Sequence, residues 1–151
     1  MNKNFLPRKL YRKIIDSVPI CWVDLVIKKG NQFLLVKRLE QPVKGKWWFV
    51  GGRVFLRETL IQAAKRKLKT EINIKSVQSI KFLGVKELSF QKGICDKPMF
   101  GIVNVFLVRV GEKDCSNLQV DKTSFGYRWF RKTEKYFSPY LKQFLKLSGF
   151  K

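Results

Sequence analysis

The sequence predicts an α/β protein in which a mixed β-sheet is sandwiched between helices (α/β/α), with a short basic helix at the N-terminus. Three observations lead there. Segments in the order hairpin, loop, strand, glycine turn, helix, strands and C-terminal helix fit a sheet clamped between helices. At 151 residues, 45% hydrophobic and 14% aromatic, the chain can bury a substantial core. At Glu58 the apolar pattern changes to the three- and four-residue spacing of an amphipathic helix.

Lys3 to Asp16 carries Leu10, Ile14 and Ile15 among Arg8, Lys9, Arg12 and Lys13, the pattern of a short amphipathic helix with Pro7 in its first turn. Pro19 ends it. Ile20–Ile27 is rich in β-formers, and Lys28-Lys29-Gly30-Asn31 turns the chain into Gln32–Lys37, a β-hairpin. Pro42 and Gly45 mark a loop before the short apolar strand Trp47–Val50. Gly51 and Gly52 follow, permitting a tight bend and close backbone approach to a ligand. From Glu58, the recurrence of Ile61, Ala64, Leu68 and Ile72 predicts a helix with one buried stripe, with Lys67, Thr70 and Glu71 on the adjoining face. Strands are predicted over Ile80–Phe90 and Met99–Val110, separated by a loop holding Gly93, Asp96 and Pro98. A polar loop around Gly111–Lys122 leads to a last strand, Gly126–Phe130. Thr133 suits an N-cap with Glu134 in the first turn, and Tyr136–Leu147 has helical apolar spacing interrupted by Pro139. One domain is expected over 1–151, with a basic helix at 1–17, a core at 18–131 and a C-terminal helix at 132–151.

Composition excludes several classes of chemistry. No apolar run approaches the ~18 residues that span a bilayer, and the N-terminus lacks the apolar middle of a signal peptide, so a cytoplasmic protein with no membrane partner is expected. Cys21, Cys95 and Cys115 show no paired short spacing and are expected to be reduced thiols. The absence of histidine removes imidazole bases, His-liganded metals and Ser-His or Cys-His pairs. A net charge of +21 attracts polyanions, although a lysine-rich source composition would produce the same charge without any partner.

The stretch from Gly51 to Ile74, GGRVFLRETLIQAAKRKLKTEINI, resembles the Nudix box, whose pattern is Gly, five residues, Glu, seven residues, then Arg-Glu-aliphatic-x-Glu-Glu-x-Gly-aliphatic. Gly52, Glu58, Arg66, Leu68, Glu71 and Ile74 fall in register. Lys67, Thr70 and Asn73 replace a Glu, a Glu and the late Gly. The chain is most similar to the GDP-mannose mannosyl hydrolase branch, whose box also lacks those two carboxylates. Ser17-Val18-Pro19, Asp24, Phe33 to Arg38, Gln41 to Val54, Asp121 and Tyr127-Arg128-Trp129 fit the same branch.

That resemblance implies a Nudix fold and hydrolysis of a nucleotide sugar by water attack at the anomeric carbon, releasing a nucleoside diphosphate. It implies one Mg²⁺, with Mn²⁺ as an alternative, held by the Gly51 carbonyl and Glu71. Arg38, Arg53 and Arg66 would grip the diphosphate, and Asp24 would touch the sugar or nucleotide. Each residue has a plainer reading. Arg66 can be a solvated charge, as Lys65 and Lys69 are expected to be. Glu71 can pair with Lys67 for a few tenths of a kcal/mol. Glu58 fixes the loop and caps the helix rather than binding metal, and Asp24 can simply face water.

The branch also places a Gln metal ligand and a His general base where this chain has Thr123 and Ser124, and an aromatic contact where it has Gly101. Asp121, Asp96 and Glu87 are candidate substitute carboxylates. The alternative is a catalytically impaired Nudix-fold module that binds nucleotide or nucleic acid through its basic surface, with Trp47, Trp48, Phe125 and Tyr127 as stacking surfaces. The branch often dimerises, which makes a homodimer a candidate assembly.

Overall fold

Strand β1 (Ile20–Lys29) is the hub of the sheet. It runs parallel to β6 (Met99–Arg109) from Ile20↔Gly101 to Lys28↔Arg109. Its first half pairs antiparallel with β4 (Val50–Arg53) and its last residues with β2 (Gln32–Arg38). Strands β3 (Trp47–Trp48) and β7 (Ser124–Phe130) pair with β2, and β5 (Ser79–Phe90) pairs with β6. The computed structural model describes residues 6–151, and the expected helix start at Lys3 lies outside them.

A sheet covered on both faces needs strands that are apolar on both sides, and β1 supplies this. Val23, Leu25 and Ile27 face one core with Ala63, Ala64, Leu68 and Ile72 of helix α2 (Leu60–Ile72). Val26 faces the other, with Phe33, Leu35, Leu141, Phe144 and Leu145, the last three from helix α3 (Pro139–Leu147). Helix α1 (Arg8–Ser17) packs Ile14, Ile15 and Tyr11 against Ile20, Met99 and Trp22 at one end of β1. Among the described residues no helix is long and apolar enough to cross a membrane.

The helix ends account for several departures from the sequence expectations. Helix α2 begins at Leu60 because Thr59 and Gln62 form a capping box, so Glu58 lies outside the helix. Ile61 is exposed rather than part of the buried stripe; Ala63 and Ala64 complete that stripe. Asn73 adopts the left-handed C-cap with φ 59°, the conformation for which the box's late Gly is suited and which Asn tolerates. Helix α3 is capped by Ser138, whose hydroxyl accepts from Leu141 N–H, and Pro139 stands in its first turn. Thr133 therefore caps nothing, and Pro139 starts the helix instead of interrupting it, because a missing N–H costs nothing there. Pro7 likewise sits at the N-cap position of α1, one residue before the first turn.

Gly51 and Gly52 also differ from expectation. They lie within β4, paired with Asp24 and Val23, and do not form a bend. Their missing side chains make room across the strand: a Cβ on Gly51 would stand 2.2 Å from Asp24 Oδ1.

Phe144, 1% exposed, packs edge-on against Tyr140 with ring centroids 5.4 Å apart. Phe144→Ala should destabilise the fold by about 3–5 kcal/mol, read as a lowered urea midpoint; a shift below about 1 kcal/mol would contradict this account of the α3 core.

Candidate functional site

Asp24 sits in the middle of the region where β1 is bonded on one edge to β4 and on the other to β6. Backbone pairing on both sides holds its side chain on the α3 face, and it is 6% exposed rather than facing water. Tyr140 O–H donates to Asp24 Oδ2 at 2.7 Å, and Trp48 Nε1–H donates to the same oxygen at 3.3 Å. Burial raises the Asp24 pKa from 3.8 to about 7, and Glu71 adds to the rise. The two donated hydrogen bonds and the Arg38 charge pull the other way. Burial and the neighbouring Asp24 charge push Tyr140 upward, so its hydroxyl remains a donor.

On the far side of β4, the box residues divide into two pairs. Arg66 Nε and a terminal nitrogen donate to both oxygens of Glu58 at 2.6 and 2.8 Å, and that nitrogen also donates to the Arg53 carbonyl at 2.9 Å. Phe55 N–H donates to Glu58 at 2.9 Å, and the Arg66 guanidinium lies 3.7 Å from the Phe55 ring centroid. This is a bidentate clamp joining α2 to the end of β4, and its hydrogen bonds hold the Glu58 carboxyl below its ordinary pKa. Glu58 thus fixes the loop as expected, but it does not cap the helix, a role taken by Thr59. Arg66 is engaged with Glu58 and does not line the cleft described below.

The second pair is Lys67 and Glu71. Lys67 Nζ lies 2.8 Å from Glu71 Oε1, with side-chain exposures of 18% and 6%. Gly51 N–H donates to Glu71 Oε2 at 3.4 Å. The end of Lys67 lies over Gly52, where a Cβ would stand 2.6 Å from both Cε and Nζ. Gly51 and Glu71 are therefore adjacent, as a shared metal would require. As placed, though, these residues do not fit a divalent ion: an ammonium holds one Glu71 oxygen. No group of three His, Cys, Asp or Glu suited to a metal occurs among the described residues. Thr70 is exposed.

The Lys67–Glu71 pair borders a cleft of about 420 Å³. Asp24, Glu71, Lys67, Arg38 and Arg53 line it, with the half-buried Trp22, Trp48 and Phe90 providing an aromatic side. Phe90 meets Trp22 and Trp48 edge-on at 5.9 and 6.1 Å, and Trp48 stacks on Tyr140 at 5.3 Å. Arg53 lies against the rings of Tyr11 and Phe55, at 5.5 and 5.0 Å. Arg38 donates to Thr123 Oγ1 at 3.5 Å.

Thr123 lines the cleft, donating its own N–H and hydroxyl to Asp121 at 2.9 and 2.6 Å. Ser124 is buried in β7. Of the three candidate substitute carboxylates, none lines this cleft; Asp96 lines the depression beside it. Glu40 lines both. It went unremarked in the sequence because an exposed Glu in a loop carries no local signal. Tyr140 was missed for another reason: its hydroxyl meets Asp24 across 116 positions, a contact that helical spacing does not encode. Gly101 is closed to a side chain by the Trp22 indole of β1, 2.2 Å from where a Cβ would stand. The four aromatics proposed for stacking separate: Trp47 packs edge-on to Phe130 at 5.4 Å, Trp48 lines the cleft, and Phe125 and Tyr127 are exposed.

Comparison with known proteins gives a consistent picture. The NUDIX domain family matches residues 22–145. Among curated proteins, the chain is 36% identical over 69 residues to the low-salt glycan biosynthesis protein Agl8 of Haloferax volcanii, covering 46% of this chain and 44% of that protein. It is 41% identical over 66 residues to an ADP-ribose pyrophosphatase of Methanocaldococcus jannaschii, covering 44% and 38%. The chain thus spans less than half the length of each of these relatives. In fold it is similar to the MutT NUDIX hydrolase from Burkholderia pseudomallei, with a TM-score of 0.71 and 19% identity over 87% of this chain and 98% of that one.

Buried Asp24 makes stability depend on pH. Between the ordinary 3.8 and about 7 the folded chain keeps a proton that the unfolded chain releases, so stability falls as pH rises through that window. Asp24→Asn removes this dependence, and its denaturation midpoint relative to wild type should rise between about pH 5 and about pH 8. An identical difference at both pH values would show that Asp24 is not held protonated by burial.

Proposed function

The chain belongs to the Nudix family, and on that premise we propose that its cleft binds a nucleoside diphosphate sugar and hydrolyses it at the anomeric carbon, as in the GDP-mannose mannosyl hydrolases its box resembles. One observation carries this reading: Arg38, Arg53 and a buried carboxyl share a single cleft with the aromatic side formed by Trp22, Trp48 and Phe90. The ADP-ribose pyrophosphatase and the glycan biosynthesis protein among its relatives support a sugar linked to a nucleoside diphosphate as the ligand.

In this reading the base or sugar stacks on the aromatic side, and planar guanidinium groups take the diphosphate oxygens. Water attacks the anomeric carbon, forming the new C–O bond. The bond from that carbon to the bridging phosphate oxygen breaks, and its electron pair leaves on the nucleoside diphosphate. Arg38 and Arg53 neutralise the charge that develops there. The proton released by water passes to the Asp24 carboxylate and then to solvent. A carboxyl with a pKa near the working pH suits such a transfer, and Oδ1 lies in the space left by the missing Gly51 side chain. Nudix hydrolases generally use Mg²⁺ or Mn²⁺; with Lys67 on Glu71, charge neutralisation falls to this chain's own cations.

A second reading, binding of single-stranded nucleic acid without turnover, is favoured by exposed Phe125 and Tyr127 beside Arg128 on β7 and by the +21 charge. It calls for affinity that falls steeply with salt.

Incubation with GDP-, ADP- and UDP-sugars, with and without Mg²⁺, should release a nucleoside diphosphate and free sugar at a rate that rises with pH through about 7. Asp24→Asn should lower kcat about 10²–10⁴-fold and abolish that rise. No product from any of these sugars would remove the hydrolase reading.

A further inference from the structure

We propose that Lys67 is a built-in counter-cation for the diphosphate, so that this cleft binds nucleoside diphosphate derivatives without a divalent metal. The inference rests on the reading of the cleft as a nucleotide site, and deepens it.

The position of the amine is built rather than incidental. Lys67 and Glu71 stand one helical turn apart on α2, and the ammonium meets Glu71 Oε1 at 2.8 Å while only 18% of the lysine side chain is exposed. Glycine at position 52 keeps the path open, since a Cβ there would lie 2.6 Å from both Cε and Nζ. Gly51 N–H holds the second Glu71 oxygen at 3.4 Å, fixing the carboxylate that aims the amine. The ammonium carries three donors. Among the described residues Glu71 engages one of them, and Lys67 lines the cleft together with Arg38 and Arg53.

The charge balance points the same way. A divalent ion on Glu71 would have to displace the ammonium from a carboxylate that is 6% exposed and would then share a partly desolvated cleft with three side-chain cations. Breaking such a pair leaves a charge uncompensated, a substantial cost. An incoming diphosphate meets the opposite situation: two anionic groups approach Lys67, Arg38 and Arg53, already neutralised in part by Glu71. The Glu-to-Lys change at this box position thus exchanges a metal ligand for a cation, and the loss of the carboxylate at Thr70 accompanies it.

The test is calorimetric binding of ADP, GDP and UDP to the full chain, in EDTA and in excess Mg²⁺. Wild-type affinity for whichever nucleotide binds should agree within about twofold between the two media. Lys67→Met should weaken binding in EDTA by about tenfold or more and regain part of it with Mg²⁺, while Lys67→Arg should bind in EDTA much as wild type does. Wild-type binding about tenfold tighter with Mg²⁺, or Lys67→Met indistinguishable from wild type in EDTA, would overturn the counter-cation and leave the nucleotide cleft intact. No binding of any of the three in either medium would overturn both. The wild-type comparison requires no variant to fold.

Discussion

A carboxyl group in the middle of a doubly bonded, doubly covered strand constrains much of this molecule. Asp24 reaches water only through the cleft and is 6% exposed, because β4 and β6 occupy both edges of β1. A buried polar group of this kind must be hydrogen-bonded. Tyr140 and Trp48 supply the donors, and in doing so they tie α3 and β3 to the central strand. The absence of side chains at positions 51 and 52 follows from the same crowding, since the first clears Asp24 and the second clears Lys67. The polar floor of the cleft and the packing of the α3 core are therefore consequences of one arrangement.

The box residues share out the remaining work in a way that their linear order conceals. Arg66 and Glu58 form a clamp that closes through Phe55 N–H and the Arg53 carbonyl, and this rigidity positions the backbone on which Arg53 stands. Lys67 and Glu71 turn toward the cleft instead. Adjacent positions on a helix point about 100° apart, so neighbours such as Arg66 and Lys67 serve different sides of the same element. Charge along the cleft is carried by side chains fixed through packing, next to an aromatic side.

Much of the architecture was legible in residue order. The hairpin at Gly30, the helix carrying Ala64, Leu68 and Ile72, and the strands on either side of Pro98 follow from period and turn chemistry, which are local. Errors fell where local signals compete. Thr133 and Ser138 both suit an N-cap, and the choice went to Ser138 because Pro139 beside it fits a first turn. Gly51-Gly52 reads equally well as a bend or as a strand that must tolerate close neighbours, and the pairing with β1 selected the strand.

The sequence was sufficient to identify the family, the order of elements and the residue types available for binding, because hydrophobic period and box spacing survive without any knowledge of contacts. It was not sufficient to say what Asp24, Arg66 and Lys67 do. Their partners are a tyrosine from the last helix, a glutamate before α2 and a glutamate one turn along it. Whether a charged side chain becomes part of a clamp, a buried hydrogen-bond acceptor or half of an ion pair facing the cleft depends on burial and on which groups lie within hydrogen-bonding reach. Those quantities exist only once the sheet has closed and its two faces are covered.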